Sequence, residues 1–527
     1  MSQKTAVVIG GGIAGLSTAA LLAKAGMKVQ LLEAREGLGG RAYLWEKDGF
    51  KFDMGPSWYL MPDAFEQFFN LMGTTAEQEL DLVRLSPAYQ TINEGDSKKL
   101  VVGNQLDQIK QLFEEVEPGS AAKLQKYLDS AEDAYKLSIK HFLYTNFRDG
   151  RSFINPEVLA KAATFVSHLV TSLYDFSAKF VKDERLRKIL NFPAVFLGAS
   201  PYETPSMYHL MTHVDFNVGV FYPQGGMYTI IQAIERLAKA AGVEIHTNAK
   251  VSKILSKDGK AVGVQVGQVE YLADVVVATA DLHHVETKLL DSGNQSLPQK
   301  WWDKKLPGPS ALLLYLGVKG KIPQLEHHTL LLSEDWGSNF SEVFHKADGK
   351  RKVPNPASMY ICMPSKTDPS VAPEGFENIF VLVPIAADPS IGRGGINREG
   401  DEEFEKAADR VIEQIATWCD LPDLKDRIVV RRTMGPKNFE EELNAWSGTA
   451  LGMAHTLWQS AFFRPKNYSK KLKNLYYAGH NTIPGIGLPM CLIGAELVYK
   501  HLTNDRSSGP IRGELKPLPA KAWKGIR

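Results

Sequence analysis

Apolar and polar positions divide the chain into readable pieces. "TAVVIG" (residues 5–10) is a short β-branched run of the kind seen in a strand buried on both faces. It runs into Gly10-Gly11-Gly12-Ile13-Ala14-Gly15; a helical pattern then continues through Lys24 to Gly26, and "MKVQLLEA" follows as a second strand. This predicts a β-α-β unit. Much later, "GVEIHTNAKVSKIL" (242–255) reads as two strands parted by a turn, and "ADVVVATAD" (273–281) as a buried strand ending in small residues. "NLYYAGHNTIPGIGLPMCLIGAELVYKHL" (474–502) reads as strand, glycine-rich loop and helix. Between these pieces, residues from about 90 to 215 are mostly helical by pattern, while "ALLLYLGV", "SMYICMP" and "NIFVLVPIA" predict strands within a stretch from about 291 to 470. In the helical stretch, residues 154–183 begin with Asn155 as a cap, then Pro156 and Glu157 in the first turn. Leu159, Ala162, Val166, Leu169, Leu173, Phe176 and Phe180 follow at steps of three and four, making one continuous apolar stripe. Such a helix packs on a core or lies on a bilayer with its lysines toward headgroups, and periodicity does not separate the two.

The apolar opening segment admits three readings: a secretory signal, a membrane span, or a loop shaped to hold a phosphate. Its glycines follow G-x-G-x-x-G at Gly10, Gly12 and Gly15. The first permits a tight turn, the second lets backbone approach a pyrophosphate, and the third lets helix and strand pack closely. The following helix turns its free N–H groups and positive dipole end toward the phosphates. Glu33 ends the second strand, where a carboxylate accepts hydrogen bonds from ribose hydroxyls. A signal peptide has no use for a second strand ending in an acid, so none is expected.

Length and composition agree. A chain of 527 residues is too long for one small core, and 44% hydrophobic with 23% charged residues is ordinary for a globular protein. A net charge of +1 creates no field that would recruit nucleic acid, and no nucleic-acid partner is expected. Cys362, Cys419 and Cys491 are few, odd in number and far apart, which points to a reducing compartment rather than a disulfide framework.

"EAREGLGGRA" (33–42) narrows the cofactor. Gly39, Gly40 and Arg41 add a second glycine turn and a cation beside the first phosphate loop. FAD, whose ribityl chain continues past the pyrophosphate, needs such an extension; a nicotinamide does not. The segment resembles the E-x-R…G-G-R of the FAD-dependent amine oxidase superfamily, and "FDMGPSWY" resembles that superfamily's next flavin-contacting turn. The resemblance implies cofactor contacts from Gly10, Gly12, Ile13, Ala14 and Gly15, from Glu33, Ala34 and Arg35, and from Gly39, Gly40 and Arg41. It extends them to Gly55, Pro56 and Ser57, to Val251 against the adenine, and to Gly479, Gly487, Leu488, Pro489 and Met490 under the ring. The expected fold is α/β: a discontinuous Rossmann-like FAD-binding domain (1–90, 216–290 and 471–505) with a mixed-sheet and helical substrate domain. The latter divides into a helical, membrane-facing insert (91–215) and a mixed α/β part (291–470), before a loosely ordered tail (506–527).

Other constellations carry less. His209 and His213 lie four apart, but Leu210 stands where a zincin needs Glu, so no metal is expected. His283-His284 and His327-His328 read as strand pairs facing opposite ways without cysteine or carboxylate company. "IGRGGINREG" lacks the third glycine and preceding strand of a second dinucleotide site. Arg148-Asp149 reads as a surface turn or an acid near substrate.

"FPAVFLGASPYETPSMYHLM", "FYPQGGMYTIIQAIERLA", "SMYICMPSKTDPSVAPEG" and the 455–498 segment resemble the bacterial-type phytoene desaturases over almost the whole chain. That resemblance implies FAD as the organic cofactor, a lipophilic carotenoid substrate and peripheral attachment to the cytoplasmic side of a membrane. Oxygen or a quinone would accept the electrons, and phytoene would be dehydrogenated stepwise toward lycopene. The alternatives are a diapophytoene desaturase, a redox-neutral carotenoid isomerase, or a non-catalytic prenyl-binding protein of the same fold. Members commonly carry His before the Pro of the C-terminal loop, where this chain has Ile483. Desaturation removes a hydride and a neighbouring proton; the allylic cation that develops as the hydride leaves spreads over the polyene, so a strong base is not required and no catalytic side chain is assigned. Phe142, Tyr144, Phe147, Phe153 and Tyr174 are candidates to line the substrate entrance.

Overall fold

A computed structural model describes residues 3–96, 98–148, 151–344 and 351–517, with the side chains of Arg151 and Ser152 excepted. The first strand, Thr5–Ile9, is central to a five-stranded parallel sheet. Val275–Ala278 and Leu475–Tyr477 lie on one side of it, Lys28–Leu32 and Glu244–His246 on the other. Three distant parts of the chain thus share one sheet. Its strands read as unbroken apolar runs because both faces are covered. Ala6, Val8, Val275 and Val277 face a helical layer that includes Ile13–Lys24, Tyr228–Ala240 and Leu488–Thr503. Val7, Ile9, Val276 and Ala278 face Ile254, Ala261 and Val264 of a small antiparallel sheet.

A second, seven-stranded sheet runs Ile428–Met434, Ser310–Lys319, Phe376–Ile385, Met359–Cys362, His328–Leu332, Tyr89–Asn93, Leu100–Val102. All its neighbours are antiparallel except His328–Leu332 with Tyr89–Asn93. Leu312, Leu314 and Leu316 pack under the helix Glu402–Trp418, while Ala311, Leu313 and Phe380 point the other way into the largest core. That second face becomes a cavity wall.

Two expectations change. The stretch from 90 begins in strand, because Gln90, Thr91 and Asn93 are buried in the seven-stranded sheet. Polar residues at both faces of an inner strand erase the alternation that would announce it. The stripe of 154–183 is not one helix but three: Pro156–Ala160, Ala162–Val170 and Leu173–Ser177. Asn155 caps the first through Glu157 N–H, but Thr171 is extended and the Ser172 hydroxyl caps a new helix through Asp175 N–H. The Ser172-x-x-Asp175 spacing is a helix-start signature inside the stripe.

Candidate active site

The two predicted glycine turns meet. Gly10 has φ 101° and donates its N–H to Leu32 O at 2.8 Å; Gly39 (φ 111°) donates to Gly11 O at 2.9 Å and bridges Gly12. A β-carbon on Gly15 would run into the Gly10 carbonyl, so Gly15 acts in strand–helix packing, away from the cavity. At Gly12 the nearest protein atom to such a carbon is 3.8 Å away, and the residue opens on the cavity. The helix beginning at Ile13 has neither a side-chain cap nor an acid in its first turn. Its leading N–H groups therefore have no side-chain cap beside Gly12, where the cavity begins. Glu33 is buried there, accepting from Gly11 N–H at 2.6 Å and Arg35 N–H at 2.8 Å. Beyond the ribose contact expected of it, its carboxylate ties the loop to the end of the second strand. A carboxylate bound to two donors retains acceptor capacity for ribose hydroxyls.

Behind the second turn lies a dry charged cluster that sequence reasoning missed. Arg41 Nη2 and His480 Nε2 approach the same Asp281 carboxylate oxygen, at 3.9 and 3.4 Å. Arg41 also donates to Ala450 O at 2.9 Å. Burial works against the Asp281 charge, yet His480 and Arg41 hold its carboxyl below the ordinary range. Burial, then Arg41, pushes His480 down to about 4, so its ring is neutral near pH 7. No local spacing could pair residues some two hundred positions apart. Asp53 heads the FDMGPSWY turn and anchors it: its carboxylate accepts from Met227 and Tyr228 N–H at 2.7 and 2.9 Å, fixing the turn that carries Gly55, Pro56 and Ser57.

One cavity of about 560 Å³ joins these pieces, within the roughly 300–1,000 Å³ usual for a small-molecule site. Apart from Gly15, every predicted contact residue lines it: Gly10, Gly12, Ile13 and Ala14, Glu33 to Arg35, Gly39 to Arg41, Gly55 to Ser57, Val251, Gly479 and Gly487 to Met490. From the turn at 484–489 the wall becomes apolar, through Phe196, Met207, Met211, Phe142, Phe147 and Phe462. Of the five entrance candidates, Phe142 and Phe147 line the cavity and Phe153 packs behind them. Tyr144 is buried elsewhere, and Tyr174 stacks with Tyr202 and Arg187.

The remaining histidines sort plainly. His209 is saturated by Ser206 O and Ser130 Oγ at 2.8 and 2.9 Å, and His213 is a buried neighbour of Tyr135. His283 and His284 lie in a helical turn capped by Asp281, not a strand. The expectation that His327 and His328 lack cysteine company is wrong: strand register pairs His328 with Cys362, and ligating atoms of all three lie within 4.8 Å. Their Nδ1 atoms are engaged by Thr367 Oγ1 and Tyr360 Oη at 2.8 and 2.7 Å. Arg148 contacts Asn504 Oδ1 at 2.9 Å; Asp149 lies outside the described residues.

Two glycine turns thus abut in one cavity with a largely apolar remaining wall, and similarity to known proteins gives the family. The signature described as "Flavin containing amine oxidoreductase" matches residues 13–497, and the chain belongs to that family of FAD-dependent oxidoreductases. Solved structures share the fold: an oxidoreductase from Methanosarcina mazei (TM-score 0.61, 19% identity, covering 94% of this chain and all of that one) and putrescine oxidase (0.60, 14%, 94% and 98%). Closer relatives narrow the class. The chain is 41% identical to carotenoid 3,4-desaturase of Haloarcula japonica over 96% of its own length and 99% of the relative's. It is 35% identical to the zeta-carotene-forming phytoene desaturase of Myxococcus xanthus (94% and 93%). It is 32% identical to a 4,4'-diapophytoene desaturase of Staphylococcus haemolyticus (95% and 99%). Within its superfamily it is a member of the carotenoid desaturases.

Proposed function

We propose that the protein dehydrogenates a carotenoid precursor, taking phytoene stepwise toward lycopene. One observation carries this reading: the cavity begins on two abutted glycine turns and continues, without a break, as an apolar passage. In this reading the Gly12 backbone and the free N–H groups at Ile13 and Ala14 hold the pyrophosphate, and Glu33 holds the ribose. Backbone at Val251 meets the adenine, Arg41 neutralises phosphate charge, and the 485–490 turn supports the ring. FAD, when bound, supplies the hydride acceptor. The chain's own task is positioning and exclusion: aromatic and methionine side chains hold an oily substrate and keep water out.

Membrane attachment belongs to the same proposal. Ile154, Leu159, Val166 and Val170 are 56–75% exposed, and the last two share the helix Ala162–Val170 with Phe165 and Leu169, which line the cavity. Trp458, 69% exposed, and Phe463 extend this apolar rim. Among the described residues no helix is long and apolar enough to cross a membrane. A peripheral seat on the cytoplasmic side would let substrate enter sideways from lipid and bring a membrane quinone near the cofactor, with oxygen as the other acceptor. Three buried free cysteines fit a reducing compartment.

A second reading rests on the higher identity to the 3,4-desaturase: the substrate would be an already unsaturated carotenoid. Expression in one host that accumulates phytoene and another that accumulates lycopene separates the two. Conversion in the first host supports the leading reading; conversion only in the second replaces it.

A further inference from the structure

One imidazole stands in the wall where the cavity changes from glycine-lined to apolar. His455 is 3% exposed, and its Nδ1 lies 2.7 Å from Leu197 O. A carbonyl only accepts, so the ring proton sits on Nδ1 and Nε2 keeps a bare lone pair. Nε2 reaches over Gly485, where a β-carbon would come within 2.8 Å of it. The absence of a side chain at 485 thus lets the ring touch the backbone of the turn preceding the helix Leu488–Thr503. Both residues line the cavity, as do Leu197 and Tyr208.

The groups facing His455 keep it neutral. Arg464 is buried behind it, donating to the carbonyls of Gln459, Thr482 and His480, and Tyr208 presents its ring edge-on at 5.8 Å. Burial first, then the Arg464 charge, holds the imidazole well below its ordinary range. Other ionisable groups of the wall are committed elsewhere: Asp281 to Arg41 and His480, Glu33 to two N–H groups, and Glu442 toward Arg432. His284 stands at the glycine end, beside Lys250.

We propose that His455 Nε2 accepts the proton released in each dehydrogenation, an assignment that rests on the desaturase reading. One C–H bond of a CH–CH unit leaves with both electrons as hydride to the cofactor. The adjacent C–H bond breaks in the same step, its electron pair becomes the new π bond, and its proton passes to Nε2, giving an imidazolium. The substrate loses two hydrogens in all. A weak base is enough, because the proton beside a developing allylic cation is strongly acidic. Burial near Arg464 makes the imidazolium a poor resting state, which favours onward release of the proton before the next turnover.

His455→Asn tests this, since its amide nitrogen can replace Nδ1 as donor to Leu197 O while nothing replaces Nε2; His455→Ala is the second variant. FAD content, read from absorbance, should match wild type in both. An isoprenoid with a secondary ammonium nitrogen at the reacting carbon donates to Nε2, so wild type should bind it at least tenfold more tightly than either variant. Anaerobic single-turnover bleaching of the flavin should slow by about 10²–10⁴-fold, the usual range for a positioned base, with KM within twofold. Variants that bind the amine equally, or bleach at the wild-type rate, overturn the assignment and leave the desaturase reading standing. A wild-type enzyme inert toward every carotenoid overturns both.

Discussion

Gly12 and Glu33 lie side by side at the mouth of the dinucleotide turn and differ in what they contribute. Gly12 faces the cavity, so Gly12→Val puts a branched side chain where the proposed function sets the pyrophosphate. The purified variant should be colourless while its thermal transition is otherwise cooperative; a yellow variant of normal occupancy refutes the assignment. Glu33 also binds the Gly11 and Arg35 N–H groups. Hydrogen bonds to a charged group contribute about 1.5–3 kcal/mol each, so Glu33→Ala should raise the FAD dissociation constant by about 10–100-fold. It should also lower apo-protein stability, measurable by calorimetry. The glycines and Glu33 were legible because their spacing is local and each answers a steric or hydrogen-bonding need. Asp281, His480 and His455 were not, because only tertiary structure brings them to the cavity.

At the scale of elements, apolar runs predicted the parallel strands well, since strands covered on both faces leave an unbroken signature. Tyr89–Asn93 escaped because its buried residues are polar. The 154–183 stripe misled for the opposite reason: its periodicity is real, but the Thr171-Ser172 break restarts the helix. Ser172→Ala should cost about 1 kcal/mol, the usual value of such a cap, seen as a lower denaturation midpoint. On the exposed side, Val166→Asp with Val170→Asp should leave stability nearly unchanged, since neither side chain is in a core. Burying each apolar side chain in lipid contributes about 1.5–3 kcal/mol, so liposome binding should fall by more than tenfold. Unchanged co-sedimentation would show that this surface is not the docking face.

At the scale of the whole molecule, the three-part assembly of the parallel sheet was legible in outline, because separate segments shared one pattern. How the seven-stranded sheet closes over the cavity was not, since strand order and register leave little local trace. Burial on this scale has a consequence for pH. His209 and His480 are pushed down to about 4, and His327 and His501 to about 3, mainly by burial. Below pH 6.5 the unfolded chain gains protons that the native rings refuse, so stability falls as pH drops toward 4. Asp53 and Asp215, raised to about 6 and about 7 by burial, oppose this over the same window, because the native state holds their protons longer. Among the described residues nine histidines are pushed down and four carboxyls, Glu286 and Glu496 included, are pushed up, so the histidines dominate and the melting temperature should be lower at pH 5 than at pH 7.

Carotenoid dehydrogenation by this protein requires a bound flavin that draws hydrogen from an oily polyene precursor. Anaerobic mixing of yellow holoenzyme with phytoene-loaded liposomes, followed by absorbance, tests that directly. Bleaching of the flavin band together with new carotenoid bands at longer wavelength is the expected result; a flavin that stays oxidised while phytoene remains unconsumed would refute the proposed function.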